Sequence, residues 1–260
     1  MDSVTLRTQS GPMSPDTARR GADRLIVALD VESGARALEL ASQLRSVAGG
    51  FKIGTRLFTL EGPALVQRLV DTGTRVFLDL KFHDIPNTVA QAVESAVQTG
   101  AWMINVHASG GVPMMEAAAR AGRETAARLN RPAPLLIAVT VLPSMDARTL
   151  QDIGVQRPLA DQVIALARMT QAAGLHGVVA SAQETPGIRA ACGPGFVIVT
   201  PGIRGASAGN AMDDQSRTMG PGEAVKAGAD YIVVGRPIIA ATDPRQAAES
   251  IAAEMQDGTT

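Results

Sequence analysis

The chain has 260 residues, a formal net charge of -1 and a single cysteine. A balance this near neutrality, with no polybasic run, excludes a broad electrostatic surface for nucleic acid or an anionic membrane, so phosphate recognition must be local. One cysteine excludes an internal disulfide, and Cys192 reads as a small hydrophobe near a helix end.

Residues 1–22 are polar, with Ser, Thr, Gly and Pro scattered through them, and are expected to form a disordered N-terminal tail. They hold no apolar run of about 7 residues for a signal sequence, and Arg19-Arg20 is followed by Gly-Ala-Asp, not by the hydrophobic part of a twin-arginine signal. No stretch approaches the roughly 18 apolar residues of a membrane span, so a soluble cytoplasmic protein is expected. The last residues, Gln256 to Thr260, are expected to fray.

From Leu25 onward, short β-rich runs alternate with Ala-rich amphipathic stretches in eight pairs. The strands read as Leu25-Asp30, Gly50-Ile53, Arg75-Lys81, Met103-His107, Leu135-Thr140, Gly177-Ser181, Phe196-Pro201 and Tyr231-Gly235. The helices that follow read as Gly34-Ala48, Pro63-Thr72, Thr88-Thr99, Gly111-Leu129, Ala160-Ala173, Glu184-Ala191, Pro221-Ala227 and Pro244-Met255. Eight repeats in about 250 residues predict an α/β chain with one domain, a (β/α)8 TIM barrel over residues 23–256. A doubly wound open sheet competes, but polar residues close nearly every strand, which suits one ring-shaped active face.

The two-residue strand period sends Phe77, Asp79 and Lys81 to one face of strand three, and Val76, Leu78 and Leu80 to the other. In a parallel barrel the Asp/Lys face points inward near the mouth. By the same rule Asp30 closes strand one on the face of Ile26 and Ala28, and Lys52 alone takes the interior side of strand two. Four charges from three neighbouring strands at one level would be desolvated or repel one another unless paired or used. Asp84 breaks the strand period and belongs to the loop into the next helix, for which Asn87 is a candidate N-cap.

His83 and His107 suggest a metal site, but Lys52 and Lys81 would stand too close to a divalent ion, so both histidines are expected to hydrogen-bond and position loops. His176 is expected at the surface, and Ser181 to have only a packing or local hydrogen-bonding role. After strand five and Thr140-Val141-Leu142-Pro143-Ser144-Met145, the long polar connection to Pro158 is a lid candidate.

At the other side of the ring, strand seven runs into Pro201-Gly202-Ile203-Arg204-Gly205, and strand eight into Gly235-Arg236-Pro237. Glycine turns after strands seven and eight let backbone N–H groups approach an anion, and Arg204 and Arg236 add charge-assisted donors. The Ala206 to Thr218 loop, with Gln215 and Arg217, is expected to order around the phosphate and close over it. A substrate with two ends is implied. A carboxylate beside Asp79 would meet repulsion of about 4 kcal/mol at roughly 4 Å in an effective dielectric near ~20, which loss of CO₂ relieves. Lys81 can stabilise the developing carbanion and protonate it, with no cofactor and no metal. The residues alone therefore predict cofactor-free proton transfer or decarboxylation on a small phosphorylated compound.

The run DLKFHDIPNT from Asp79 to Thr88 resembles the orotidine 5'-phosphate decarboxylase family, whose pattern is Asp-x-Lys-x-x-Asp after strand three, in its bacterial form. VALD, FKIG, NVHASGG, TPGIR, a Gln-x-Arg pair and VGRP follow the family order between Leu25 and about Ile239. The resemblance implies a homodimer, with active sites at the subunit interface, that converts orotidine 5'-phosphate to UMP and CO₂ in de novo pyrimidine synthesis. It implies that Asp30 and Lys52 hold the ribose hydroxyls and the charged network, that Asp79 opposes the substrate carboxylate and that Lys81 donates the proton. Asp84 and Thr88 would enter the neighbouring subunit's site, and the run through Leu80, Phe82, His83, Ile85, Pro86 and Asn87 would border substrate. Arg204, Gln215, Gly235 and Arg236 would bind phosphate, with Gln215 bridging to the pyrimidine. One position departs from the pattern: Pro143 stands where a pyrimidine-contacting Thr is usual, and Ser144 or a backbone group beside it is expected to take over. The rivals are a metal-dependent sugar-phosphate decarboxylase or epimerase on the same barrel, against which Lys52 argues, and a non-catalytic phosphate-binding barrel.

Overall fold

The computed structural model describes residues 21–202 and 219–257. Eight strands, β1 (Leu25–Ala28), β2 (Gly50–Gly54), β3 (Val76–Phe82), β4 (Met103–His107), β5 (Leu135–Val139), β6 (Gly177–Val179), β7 (Val197–Pro201) and β8 (Tyr231–Val234), pair in sequence order into a closed barrel. Every pairing is parallel, including the closure of β1 on β8. Alternation sorts the side chains into two cores. Leu25, Val27, Phe51, Ile53, Val76 and Leu78 face outward into the core shared with the helices. Ile26, Ala28, Phe77, Met103, Ile137, Val139, Val199, Tyr231 and Val233 fill the barrel interior.

That inner plug is apolar toward the N-terminal ends of the strands, where Tyr231 meets Trp102 edge-on at 5.2 Å and the Arg75 guanidinium lies 4.8 Å from the Trp102 ring centre. Toward the C-terminal ends the inward positions turn polar: Lys52, Asp79, Asn105 and His107. Two cavities of about 450 Å³ each open at the N-terminal end instead, one lined by Gly100, Trp102 and Arg131 and the other by Gly49, Thr74 and Arg75. Neither touches the charged residues at the mouth.

The paired strands stop one or two residues short of several expected ends, at Ala28, Val139, Val179 and Val234. Single ladder bonds persist beyond them, from the Leu29 N–H to the Lys52 carbonyl at 3.0 Å and from the Thr140 N–H to the Val179 carbonyl at 3.1 Å. The eight expected helices all form, with ends shifted by a few residues. Asn87 is not the N-cap of the helix that follows β3 but lies in the first turn of Pro86–Gln98, whose N-cap is Ile85. Pro86 explains the shift, because its fixed φ and missing N–H suit the first helical position.

Further short helices were not expected: Gly21–Arg24, Thr55–Glu61, Ala147–Asp152, Arg236–Ile239 and a 3₁₀ turn at Ala108–Gly110. Thr55–Glu61 and Pro63–Asp71 are separated by Gly62, whose φ of 68° breaks the first helix before Pro63 starts the second. Gly21–Arg24 corrects the expected end of the tail. Gly21 is buried and donates its N–H to Gln256 Oε1 at 2.7 Å, so Gln256 is anchored where fraying was expected, and its helix runs to Asp257. Residues 1–20 of the expected tail lie outside the described residues. Among the described residues, no helix is long and apolar enough to cross a membrane. Cys192 ends the helix Thr185–Cys192, packed in the outer core, and burial pushes its thiol pKa up.

Candidate active site

The inward positions of β1, β2 and β3 bring four charges into one continuous chain. Lys52 Nζ lies 3.3 Å from Asp30 Oδ1 and 3.4 Å from Asp79 Oδ2, and Lys81 Nζ lies 2.7 Å from Asp79 Oδ1. Asp79 is 8% exposed, deep for a carboxylate. Burial alone pushes its pKa up, but the Lys52 and Lys81 ammonium groups and hydrogen bonds from Lys81 and Asn105 outweigh that and hold the carboxyl below its ordinary range. Asp79 is therefore an anion with cations on both sides.

The route by which Lys81 reaches Asp79 differs from the plain strand period. The β3–β4 register shifts between Leu78 and Phe82, and Lys81 has a φ of 54°. A left-handed backbone at a residue other than glycine costs on the order of 1–3 kcal/mol and needs surroundings that enforce it. Those surroundings are visible: the Lys81 N–H donates to Asn105 Oδ1 at 2.8 Å, and the Asn105 amide donates through Nδ2 to Asp79 Oδ1 at 2.7 Å. Asn105, wholly buried, was not expected as a site residue. Its signal was present in β4, where alternation through Met103-Ile104-Asn105-Val106-His107 sends it inward.

Gly54 was missed for another reason. Its φ of -90° suits any residue, but an added Cβ would stand 3.0 Å from Lys52 Nζ and 3.3 Å from Asp30 Oδ1. The glycine makes room for the ion pair. Gly235, just after β8, also stands beside the ion pair, although a Cβ there would make only ordinary contacts, 3.5 Å from the Ala28 Cβ and 3.8 Å from Asp30 Oδ2. The turn that closes β8 therefore borders the charged chain.

The rest of the expected site divides by placement. Leu80 and Phe82 pack against the outer core, so any contact they make with a ligand in the mouth is through backbone. His83, Asp84, Ile85, Pro86, Asn87 and Thr88 form one exposed run, in which Ile85 is 66% exposed and Asp84 Oδ1 accepts the Ile85 N–H at 2.7 Å. Among the described residues neither His83 nor His107 makes the expected hydrogen bond; their rings stack at 5.5 Å. Burial, then the charges of His83 and Lys81, lower the His107 pKa. His176 is at the surface as expected, with Nδ1 accepting the Leu136 N–H at 3.0 Å.

In the loop after β5, the Met145 N–H donates to the Leu142 carbonyl at 2.9 Å, which puts Pro143 and Ser144 at the centre of a tight turn. Leu142 packs on the inner plug and Ser144 is exposed at the turn's tip. Asp146 then caps the helix Ala147–Asp152 by accepting the Thr149 N–H. At the phosphate end, Gly202 has a φ of 77° and Arg236 is exposed at the start of its short helix. Arg204 and Gln215, with the loop between them, lie outside the described residues.

Residues 23–251 match the model of the orotidine 5'-phosphate decarboxylase / HUMPS family. The chain is 54% identical over 235 residues to the orotidine 5'-phosphate decarboxylase of Moorella thermoacetica, covering 90% of this chain and 92% of that protein. It is 53% identical over 232 residues to the enzyme of the same name from Syntrophotalea carbinolica, covering 89% and 94%. The crystal structure of orotidine 5'-phosphate decarboxylase from Lactobacillus acidophilus superposes with a TM-score of 0.78 at 34% identity, over 91% of this chain and 99% of that one. A barrel of the expected topology, a paired Asp-Lys array at its mouth and a match over nearly its whole length together identify the chain as a member of the orotidine 5'-phosphate decarboxylase / HUMPS family.

Proposed function

We propose that this barrel decarboxylates orotidine 5'-phosphate to UMP and CO₂, the last step of pyrimidine nucleotide synthesis, using its own side chains alone. The observation that carries the reading is Asp79, a buried anion held between Lys52 at 3.4 Å and Lys81 at 2.7 Å. A substrate carboxylate delivered beside Asp79 is repelled by it, and the C–C bond to that carboxylate is the bond whose breaking relieves the repulsion. The electron pair left on the ring carbon is stabilised by the Lys81 ammonium, which then transfers one proton from Nζ to that carbon. Lys81 regains its proton from water after UMP leaves.

In the same reading Asp30 and Lys52 hold the ribose hydroxyls and keep the network aligned. Gly235 and Arg236, with Arg204 and Gln215, bind the phosphate, and Ser144 or a neighbouring backbone group meets the pyrimidine. The exposed run around Ile85 seats against a second copy of the chain, so that Asp84 and Thr88 enter the partner's site; a large apolar side chain left open to solvent beside a charged loop supports this. The catalytic unit is the barrel of residues 23–256, working in the cytoplasm. The metal-dependent alternative is disfavoured by Lys52 Nζ, which occupies the space between Asp30 and Asp79 where a shared divalent cation would go.

The test is to mix the protein with orotidine 5'-phosphate and follow the loss of orotate absorbance. Turnover is expected without added cofactor and in the presence of a chelator, and Lys81→Ala is expected to lose at least about 10²–10⁴-fold in kcat. Abolition by chelation with rescue by magnesium would transfer the reading to the metal-dependent group. Normal turnover in Lys81→Ala would remove the proton donor.

A further inference from the structure

We infer that Asn105 is a positioning residue for this reaction, a bracket that fixes the Asp79 carboxylate and the Lys81 backbone relative to each other; the inference rests on the decarboxylase reading. Asn105 has no exposed surface and projects inward from β4 toward the end of β3. Both of its polar groups are engaged, and the chemistry leaves one orientation. A carboxylate only accepts, so the amide NH₂ must face Asp79; a backbone N–H only donates, so the amide oxygen must face Lys81. The distances are 2.7 Å and 2.8 Å.

The bracket stands where the sheet itself gives way. Between Leu78 and Phe82 the β3–β4 ladder loses register, and the Lys81 N–H has Asn105 Oδ1 as its acceptor in place of a regular ladder bond. Asn105 thus serves as a side-chain substitute for the missing rung and holds the residue whose φ of 54° turns its ammonium back toward Asp79. On the carboxylate, Oδ1 receives both Asn105 and Lys81, whereas Oδ2, among the described residues, has the longer approach of Lys52. Rotation of the carboxylate about its last bond would break two short hydrogen bonds at once. Among the described residues the hydrogen bonds of the Asn105 side chain go to Asp79 and Lys81, and none to the turn at Gly235 or the run from His83 to Thr88, so its effect is expected on the chemical step and not on substrate capture.

Asn105→Ala and Asn105→Asp test this, with kcat, KM, UMP affinity and the pH profile as readouts. For Asn105→Ala, kcat is expected to fall about 100-fold while KM and UMP affinity stay within about threefold, since UMP lacks the group that opposes Asp79. Asn105→Asp has the same shape and keeps the acceptor for Lys81, so it carries the test if the alanine variant does not fold. Its new carboxyl faces Asp79 from β4, beside Lys81 on β3, Lys52 on β2 with Asp30 behind it, and His107 on β4 itself. Burial and the like charge raise its pKa, and it can donate to Asp79 only when protonated. Its activity is expected to rise as the pH is lowered through that titration, where the wild type does not rise. Wild-type kcat in both variants would overturn the inference, as would losses of kcat and UMP affinity in equal proportion. Failure of the wild type to decarboxylate orotidine 5'-phosphate would sink the decarboxylase reading itself, a result separable from any difference between variants.

Discussion

The Asp79 carboxylate connects stability to pH with a definite sign. Burial raises its pKa, the two ammonium groups and the Lys81 and Asn105 hydrogen bonds together lower it by more, and the net is a folded value below 3.8. A depressed acid contributes stability that is present above the unfolded pKa and is lost as pH falls through the folded one. Denaturant titrations from about pH 6 to about pH 2.5 are expected to show the wild type losing more stability than Asp79→Asn below pH 3.8. His107 and His176, both lowered first by desolvation, act in a higher window that opens as pH falls past 6.5; Asp79→Asn also removes the charge that raises the His107 pKa, so the two proteins are compared by their losses from pH 3.8 downward. Equal acid losses would show that Asp79 is not held as an anion. At Gly54 the prediction is steric: Gly54→Ala puts a methyl 3.0 Å from Lys52 Nζ, so the ammonium must move by a few tenths of an ångström. Activity is expected to fall about tenfold with little change in melting temperature, because the displaced group is the flexible end of a side chain. The Asp79–Lys81 pair was legible from strand alternation, but Gly54 was not. A glycine needed for space carries no sequence mark that separates it from a glycine needed for conformation.

At the scale of elements, the regular parts follow from periodicity and the irregular parts carry the site. Alternation sorted Ile26, Ala28, Phe77 and Lys52 inward correctly, because a strand's side chains have only two directions. It could not reveal that β3 loses register before Phe82, since that depends on how β4 pairs with it and on a buried amide from another strand. The short helices Thr55–Glu61 and Ala147–Asp152 were hidden for a related reason. Each has too few turns to show an apolar face, and each is set by its ends, Gly62 in one case and the Asp146 cap in the other. The turn before the second of these gives a prediction. With Pro143 and Ser144 at its centre, the turn presents the Ser144 hydroxyl exposed at its tip, and Ser144→Ala is expected to raise KM severalfold with kcat and melting temperature unchanged. An unchanged KM would assign the pyrimidine contact to backbone.

For the whole molecule, the barrel separates its tasks along its axis. The apolar plug around Phe77, Met103 and Tyr231 ties the strands together at one end, and the charged chain from Asp30 to Lys81 occupies the other, so the reactive end can hold buried ions that a uniformly apolar interior could not support. One part of the proposed site would draw on a second barrel. Asp84 is exposed, with its Oδ1 accepting the Ile85 N–H, and the proposed function gives it a catalytic role in the partner's site. In the proposed two-fold dimer the run from His83 to Thr88 would be exchanged between subunits. Lys81→Ala and Asp84→Ala would then each be nearly inactive alone, but a mixed dimer would contain one site with Lys81 from one subunit and Asp84 from the other. If the two variants are unfolded together and refolded, random pairing makes half of the dimers mixed, and each mixed dimer holds one intact site, so about a quarter of wild-type activity is expected. Recovery of that fraction, measured against each variant refolded alone, would establish shared sites. No recovery, with mixed dimers demonstrated by mass spectrometry, would return Asp84 to its own barrel.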